Sequence, residues 1–410
     1  MRNHVLLSIV FLLAPGHAGS ARAEGDAVVL DEAGFVAALE HAAPEQARSD
    51  AAIARGAADV VAVGVRPNPS LQLEREQLVG DAAAATSYAR VTVPVDLAGR
   101  RARQVEAARA DVDATRAEVG RARAAYVVDG LREFTRAAYA ARVVELLRAD
   151  RAVLARAVDV VRKRGAAGAS AGYDVQRIEL ELAAYDDLLA SADGDMAATR
   201  ARLGALLGVA AVEPVSDLAL PPEPPPIAGL LAGAVEARGD HRAAAARAAS
   251  ATARLRLAER GWIPDLGVVA GAMATDGSGG GAIGVTLGVS LSLPVFDRGQ
   301  GIAAQARAAH QLATAEQQWL GVAVPAQIAG ARAALVRLRA QAVQLDAAQL
   351  ARLAPLLRAA ETGYREGEAG IVELLDAYRV ARAVRLRELE LRRDARLAEL
   401  DLWHALGRRP

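Results

Sequence analysis

From Ala282 to Leu293 every second residue is aliphatic (Ile283, Val285, Leu287, Val289, Leu291, Leu293), and the residues between are small or weakly polar (Ala282, Gly284, Thr286, Gly288, Ser290, Ser292). A period of two puts these sets on opposite faces of a strand, one suited to an apolar solvent and the other to water. The run is about as long as a tilted strand that crosses a bilayer. Pro294 ends it, and sequence of helical type follows at once.

The same ending occurs two hundred residues earlier, where Val93-Pro94-Val95-Asp96-Leu97-Ala98-Gly99 matches Leu293-Pro294-Val295-Phe296-Asp297-Arg298-Gly299. Other landmarks recur at similar separation: Pro69 with Pro264, Asp174-Val175 with Glu373-Leu374, and Leu206-Leu207-Gly208 with Ala405-Leu406-Gly407. A period this long indicates two copies of a domain-sized unit. The expected organisation is a leader over 1–23, a first repeat over 24–208, a stiff proline-rich linker over 209–226 and a second repeat over 227–410.

Each repeat reads as helix, strand, strand, long helix. An amphipathic helix is expected from Leu30 to about Gly64, stopped by Pro67-Asn68-Pro69, and its counterpart from about Ile227 to Glu259. Strands follow at about 69–79 and 86–95, and at about 264–274 and 282–294. In the first, Leu71 and Leu73 alternate with Gln72, Glu74 and Glu76; in the second, Ala89, Val91, Val93 and Val95 oppose Tyr88, Arg90 and Thr92. Helices from Ala98 to Arg164 and from Arg298 to Tyr364 would each reach about 100 Å at ~1.5 Å per residue. Each is expected to turn near a glycine cluster (Gly165, Gly168, Gly172; Gly363, Gly367, Gly370) and return as a shorter antiparallel helix. Pro325 and Pro355 predict a kink or break in the second.

Composition agrees with long, closely packed helices: 53% of residues are hydrophobic but only 3% aromatic. Formal net charge is zero, with arginines interspersed among acids, so nucleic acid is not an expected partner. Arg2 and His4, the apolar run Val5 to Leu13 and Ala21-Arg22-Ala23 have the layout of a secretory leader. No run approaches eighteen uninterrupted apolar residues, so no helical anchor is expected and strands must make any membrane crossing. The absence of cysteine removes disulfides, thiolate metal sites and a lipidated N-terminal cysteine. His41, His241, His310 and His404 show no paired spacing, and Gly277 to Gly281 lacks the Lys-Ser/Thr of a phosphate loop. No catalytic, metal or cofactor site is expected, and the chain is not read as an enzyme.

Four membrane-type strands cannot close a barrel, because unpaired edges are not tolerated in lipid. Two copies would give eight strands and a lumen filled by side chains; three would give twelve and a water-filled lumen. The small residues Gly284, Gly288, Ser290 and Ser292 on the inner face favour three.

With its duplicated order, its Pro-x-x-x-x-Gly strand exits and its hairpin turns, the mature chain resembles the TolC-like outer-membrane efflux proteins. The turns are Gly168-Ala169-Ser170 leading to Asp174-Val175-Gln176, and Gly363-Tyr364-Arg365-Glu366-Gly367 leading to Ile371-Val372-Glu373-Leu374-Leu375-Asp376-Ala377. Arg66-Pro67-Asn68-Pro69-Ser70-Leu71 and Pro294 to Gly301 resemble the CzcC-type branch of heavy-metal cation exporters. The resemblance implies a mainly α fold with a small transmembrane β part, assembled as a homotrimer. A twelve-stranded barrel in the outer membrane would continue as a periplasmic α-helical tube, meeting a periplasmic adaptor and an inner-membrane pump of the RND type. It further implies a periplasmic gate ringed by Glu373 and Asp376, a latch between Asp174 and Tyr364, and adaptor-contacting tips at Gly165, Gly168, Ser170, Gly367 and Gly370. Ala369 occupies the position of an arginine that some relatives use in the latch.

Plainer readings stand beside these. Glu373 and Asp376 also fit solvated helix-face charges, Asp174 a first-turn acid and the glycines simple turn residues. Arg100, Arg101 and Arg103, just past a strand exit, fit headgroup contacts or ordinary helix-surface positions. The implied function is a passive exit duct of a tripartite efflux system carrying heavy-metal cations. Alternatives are a drug-efflux or type I secretion duct of the same fold, or a soluble periplasmic coiled-coil adaptor.

Overall fold

Helix, strand, strand, long helix and returning helix appear twice along the chain. In the computed structural model residues 27–408 are described, apart from 42, 79–83, 167–171, 278–279 and 346–348. The expected leader, Gly168 and Ser170 lie outside the described residues. The first half runs β1 (Val28–Asp31), α1 (Glu32–Glu40), α2 (Ala43–Gly64), β2 (Ser70–Leu78), β3 (Ala84–Val95), α3 (Arg100–Ala166), α4 (Gly172–Leu207) and β4 (Val212–Val215). The second runs α5 (Ile227–Leu231), α6 (Ala234–Ala237), α7 (Gly239–Ala258), β5 (Asp265–Gly277), β6 (Ala282–Ser292), α8 (Gln300–Leu345), α9 (Ala351–Glu366) and α10 (Ile371–Leu406). The backbone repeats as the sequence does: Gly99 and Gly299 leave the second strands with φ of +62° and +76°, and Gly208 and Gly407 close the returning helices at +73° and +64°.

Strands β2-β3-β5-β6 form one antiparallel sheet in that order. Its register aligns the alternation of all four strands, so that Leu71, Val91, Ala270 and Leu287 share one row, and Gln72, Arg90, Gly271 and Thr286 the next. One face is therefore aliphatic over most of its length, with Arg75, Gln77, Ser87 and Asp276 toward its hairpin end, and no described residue covers its β6 side: Ile283, Val285, Leu287 and Val289 are 72–88% exposed. The other carries glycine, serine and threonine together with Glu74 and Glu76 of β2 and Arg90 of β3. β2 and β6 each pair on one side only.

α3 holds 67 residues, about 100 Å at ~1.5 Å per residue. Charge pairs one turn apart support it, among them Arg103–Glu106 and Arg116–Asp113. Lys163 and Arg164 in its last turn complement the helix dipole. Its buried residues ring the axis and include many alanines, because α2, α4, α7 and α10 all pack on it. Phe35 of α1 meets Phe134 of α3 at 5.3 Å between ring centroids, in a core with Leu39, Leu203 and Val212.

Two expectations about element boundaries are corrected. The helix expected from Leu30 to Gly64 begins with a strand, since Leu30 belongs to β1, which pairs in parallel with β4. It is then divided at His41, where Pro44, second in α2, cannot donate the bond a continuous helix needs. The helix expected from Ile227 to Glu259 is three pieces, separated by left-handed Gly233 and by extended Arg238. Arg238 is pinned by Asp240, Gln327 and the Ala405 carbonyl, contacts that hold it out of helical conformation. The second long helix contains both prolines inside helical segments, Pro325 in α8 and Pro355 in α9, with α8 described to Leu345 and α9 from Ala351.

The proline stretch lies along α8. Arg339 donates to the Pro221 carbonyl at 3.1 Å and Arg332 to that of Pro225 at 2.7 Å. Four residues of extended proline chain rise ~12 Å and seven of α-helix ~10 Å, so the spacings match.

By length and composition α8 is apolar enough to cross a membrane, the one such helix among the described residues. Counting uninterrupted apolar runs missed it because its apolar content is interspersed alanine. Val324, Ile328 and Leu335 pack it against α10, while Leu312, Trp319 and Val322 remain exposed.

Candidate functional site at the helical tips

Four helix ends converge far from the sheet: the end of α3, the start of α4, the end of α9 and the start of α10. α9 stops at Gly367, whose φ of +86° is open to glycine without cost. The Glu368 N–H then donates to the Gly363 carbonyl at 2.9 Å. Gly370 caps α10 in extended conformation, with Glu373 in the first turn. Gly165 lies inside α3. Of the described tip glycines Gly165, Gly367 and Gly370, only Gly367 uses a left-handed backbone.

A shared apolar core joins the two hairpins: Leu154, Val158 and Val161 of α3, Ile178 and Tyr185 of α4, Tyr364 of α9, and Ile371, Leu374, Leu375 and Tyr378 of α10. Polar groups are set into it. The Tyr364 hydroxyl donates to Asp174 Oδ2 at 3.2 Å. Arg164 donates to the Tyr364 carbonyl and lays its guanidinium 5.0 Å from the ring centroid. The Tyr378 hydroxyl donates to Glu361 at 2.7 Å, and burial together with that carboxylate pushes its pKa far up, so it stays a donor.

Above the tip, α10 presents an arginine every three residues to the first hairpin. Arg379 bonds both carboxylate oxygens of Glu181, at 3.0 and 3.1 Å through Nε. Arg382 lies 4.6 Å from the Tyr185 ring centroid. Arg385 pairs with Asp150, whose other oxygen, Oδ2, is buried without a hydrogen-bond partner. Burial raises the Asp150 carboxyl above its ordinary value; Arg385 and Arg382 offset this only in part.

The structure thus brings Asp174 and Tyr364 together. Glu373 and Asp376 sit one turn apart on the exposed side of α10, away from the core. Arg164 and the pairs Arg379–Glu181 and Arg385–Asp150 are missing from the sequence reading; the period-three arginines at 379, 382 and 385 were the available signal. At the other end of the helices, Arg100 donates to Asp265 and to the Ile263 carbonyl, both at 2.6 Å, and Arg103 to Glu106, also at 2.6 Å. Arg100 thereby ties the start of α3 to the start of β5. Among the described residues no group of His, Asp or Glu is placed to hold a metal ion.

Residues 230–408 match the model of the family described as outer membrane efflux protein. The chain is 28% identical over 353 residues to the cobalt-zinc-cadmium resistance protein CzcC of Cupriavidus metallidurans, covering 84% of this chain and 82% of that protein. Its fold is that of solved outer-membrane channels. The outer membrane protein VceC of Vibrio cholerae superposes with a TM-score of 0.72 at 20% identity, covering 92% of this chain and 96% of that one. CusC does so with a TM-score of 0.75 at 17% identity, covering 92% of each. The family match on the second half, the same element order in the first and the channel fold over nearly all of the chain point the same way: the chain is similar to the outer membrane efflux proteins and has the fold of solved outer-membrane channels.

Proposed function

We propose that three copies of this chain form a passive exit duct for heavy-metal cations, fed by a periplasmic adaptor and an RND-type inner-membrane pump. The observation that carries it is the sheet: four strands with one aliphatic face exposed and two edges unpaired, on helices about 100 Å long. Three such sheets joined edge to edge make twelve strands, removing every free edge and giving the aliphatic face to lipid. In this reading 24–208 and 227–410 are the two repeats, joined by 209–226, and the exposed face of α8 packs against a neighbouring copy.

The tips form the periplasmic end. Glu373 and Asp376, in three copies, make a cation-attracting ring at the entrance, and Tyr364 with Asp174 holds the hairpins closed. The tip segments with Gly165, Gly168, Ser170, Gly367 and Gly370 meet the adaptor. Cargo follows from the similarity to the cobalt-zinc-cadmium resistance protein. The test is a strain lacking this chain, challenged with cobalt, zinc and cadmium and separately with organic toxicants. Loss of resistance confined to the metals is expected; loss confined to the organic compounds would overturn the cation reading.

A further inference from the structure

The water-suited face of the sheet carries more than the small residues of β6. Glu74 and Glu76 of β2 and Arg90 of β3 project from it, and the register places Glu74 opposite Tyr88 and Arg90 opposite Gln72. Arg90 does not stand free. Its Nη1 donates to Glu74 Oε2 at 2.9 Å, and its guanidinium lies 4.2 Å from the Tyr88 ring centroid. Both partners hold it along the sheet, and the next residue in its own row leaves it room. Gly271, next to Arg90 across β3 and β5, admits no larger residue: an added Cβ would lie 2.3 Å from the Ala89 carbonyl oxygen and 2.9 Å from Thr286 Oγ1. Glu76, two rows beyond Glu74 toward the hairpin end, faces Thr86 and then Thr275 and has no ion-pair partner among the described residues.

We propose that these three side chains set the ion preference of the barrel, with Glu76 as the uncompensated charge and Arg90 as a charge masked by Glu74 and Tyr88. This rests on the duct reading above, in which the face lines a lumen. Each copy then contributes two carboxylates and one guanidinium. A free arginine ring at mid-strand would repel the cationic cargo, but paired with Glu74 it is neutral to a passing ion, leaving Glu76 in three copies to attract cations. The binding chemistry is that of a weak, non-coordinating carboxylate ring, which favours cations without capturing them.

Reversal potentials of single channels in planar bilayers under a salt gradient test this, using the full-length protein and KCl as the probe. Assembly of each variant is checked first on a non-denaturing gel. Glu74→Gln should lower the cation-to-anion permeability ratio and Arg90→Gln should raise it, by roughly two- to threefold each, with Glu76→Gln lowering it as well. Arg90→Lys, which keeps the charge but not the flat stacking, should lie below the unaltered channel. The shifts should shrink between 0.1 M and 1 M salt, as the screening length falls from about 10 Å to about 3 Å. Channels that assemble with the same permeability ratio in all variants would overturn the proposal while leaving the duct intact. An unaltered protein that forms no channels would overturn both.

Discussion

The Tyr364 hydroxyl lies 3.2 Å from Asp174 Oδ2, joining residues 190 positions apart across the two hairpins of one subunit. Tyr364 is buried at the tip core and its carbonyl is held by Arg164, so the ring is fixed at both ends. A hydrogen bond to a charged group contributes about 1.5–3 kcal/mol. That is enough to bias a hairpin between two positions.

Tyr364→Phe combined with Asp174→Ala removes this bond with little change to the apolar core. Conductance in planar bilayers is expected to rise over that of the unaltered protein. Unchanged conductance would sink the latch. Arg164→Ala should act in the same direction, because it releases the Tyr364 backbone.

The buried Asp150 makes a separate prediction about stability and pH. Its folded pKa lies above the ordinary 3.8, with burial as the cause, against the opposing charges of Arg385 and Arg382 and beside the Tyr185 ring of α4. A raised carboxyl stabilises the fold when protonated, so its contribution is complete below the unfolded pKa and is lost as pH rises through the folded one. Asp150→Asn mimics the protonated form and should leave thermal stability at pH 7 equal or higher, with a weaker gain on acidification toward pH 4. Arg385→Ala should instead cost ~2 kcal/mol, the low side for breaking a buried pair, because Arg385 is about one-third exposed. A melting series over pH decides; a large loss from Asp150→Asn at pH 7 would refute the assignment.

Gly299 sits where the sheet hands over to α8, with φ of +76° and an ideal Cβ position only 3.0 Å from the Gly261 Cα. Gly299→Ala therefore meets both a left-handed backbone and a crowded neighbour, for a cost of ~2 kcal/mol. Gly288→Ala, in β6 with open space around its Cβ position, should cost far less. Comparing the heat resistance of the two variants' assembled forms measures the difference.

The four-stranded sheet was legible in the sequence residue by residue, whereas the short β1–β4 pair was not. Alternation reports which face each side chain takes, and the structure places the four strands at nearly the limits that alternation gave. The long helices were legible for a related reason, since only a few residue types propagate a helix without interruption. Their ends were less so: Pro44 and Gly233 accompany breaks, whereas Pro325 and Gly120 lie inside unbroken helices, so residue type alone did not place the ends. At the tip, Asp174 and Tyr364 came from family resemblance, and nothing in the local sequence tied one to the other.

What the sequence determined by itself is the repeat, the two faces of the strands and the positions of the turns, because these depend on period, proline and glycine within a few residues of each other. What only the tertiary structure decided is which side chains meet across hundreds of residues: Tyr364 with Asp174, Arg385 with Asp150, Arg100 with Asp265. The row order of the sheet was decided there too, since strand pairing sets which charge of its polar face lies beside which. Such contacts depend on how the hairpins and strands are laid side by side, and neither period nor composition carries that distance.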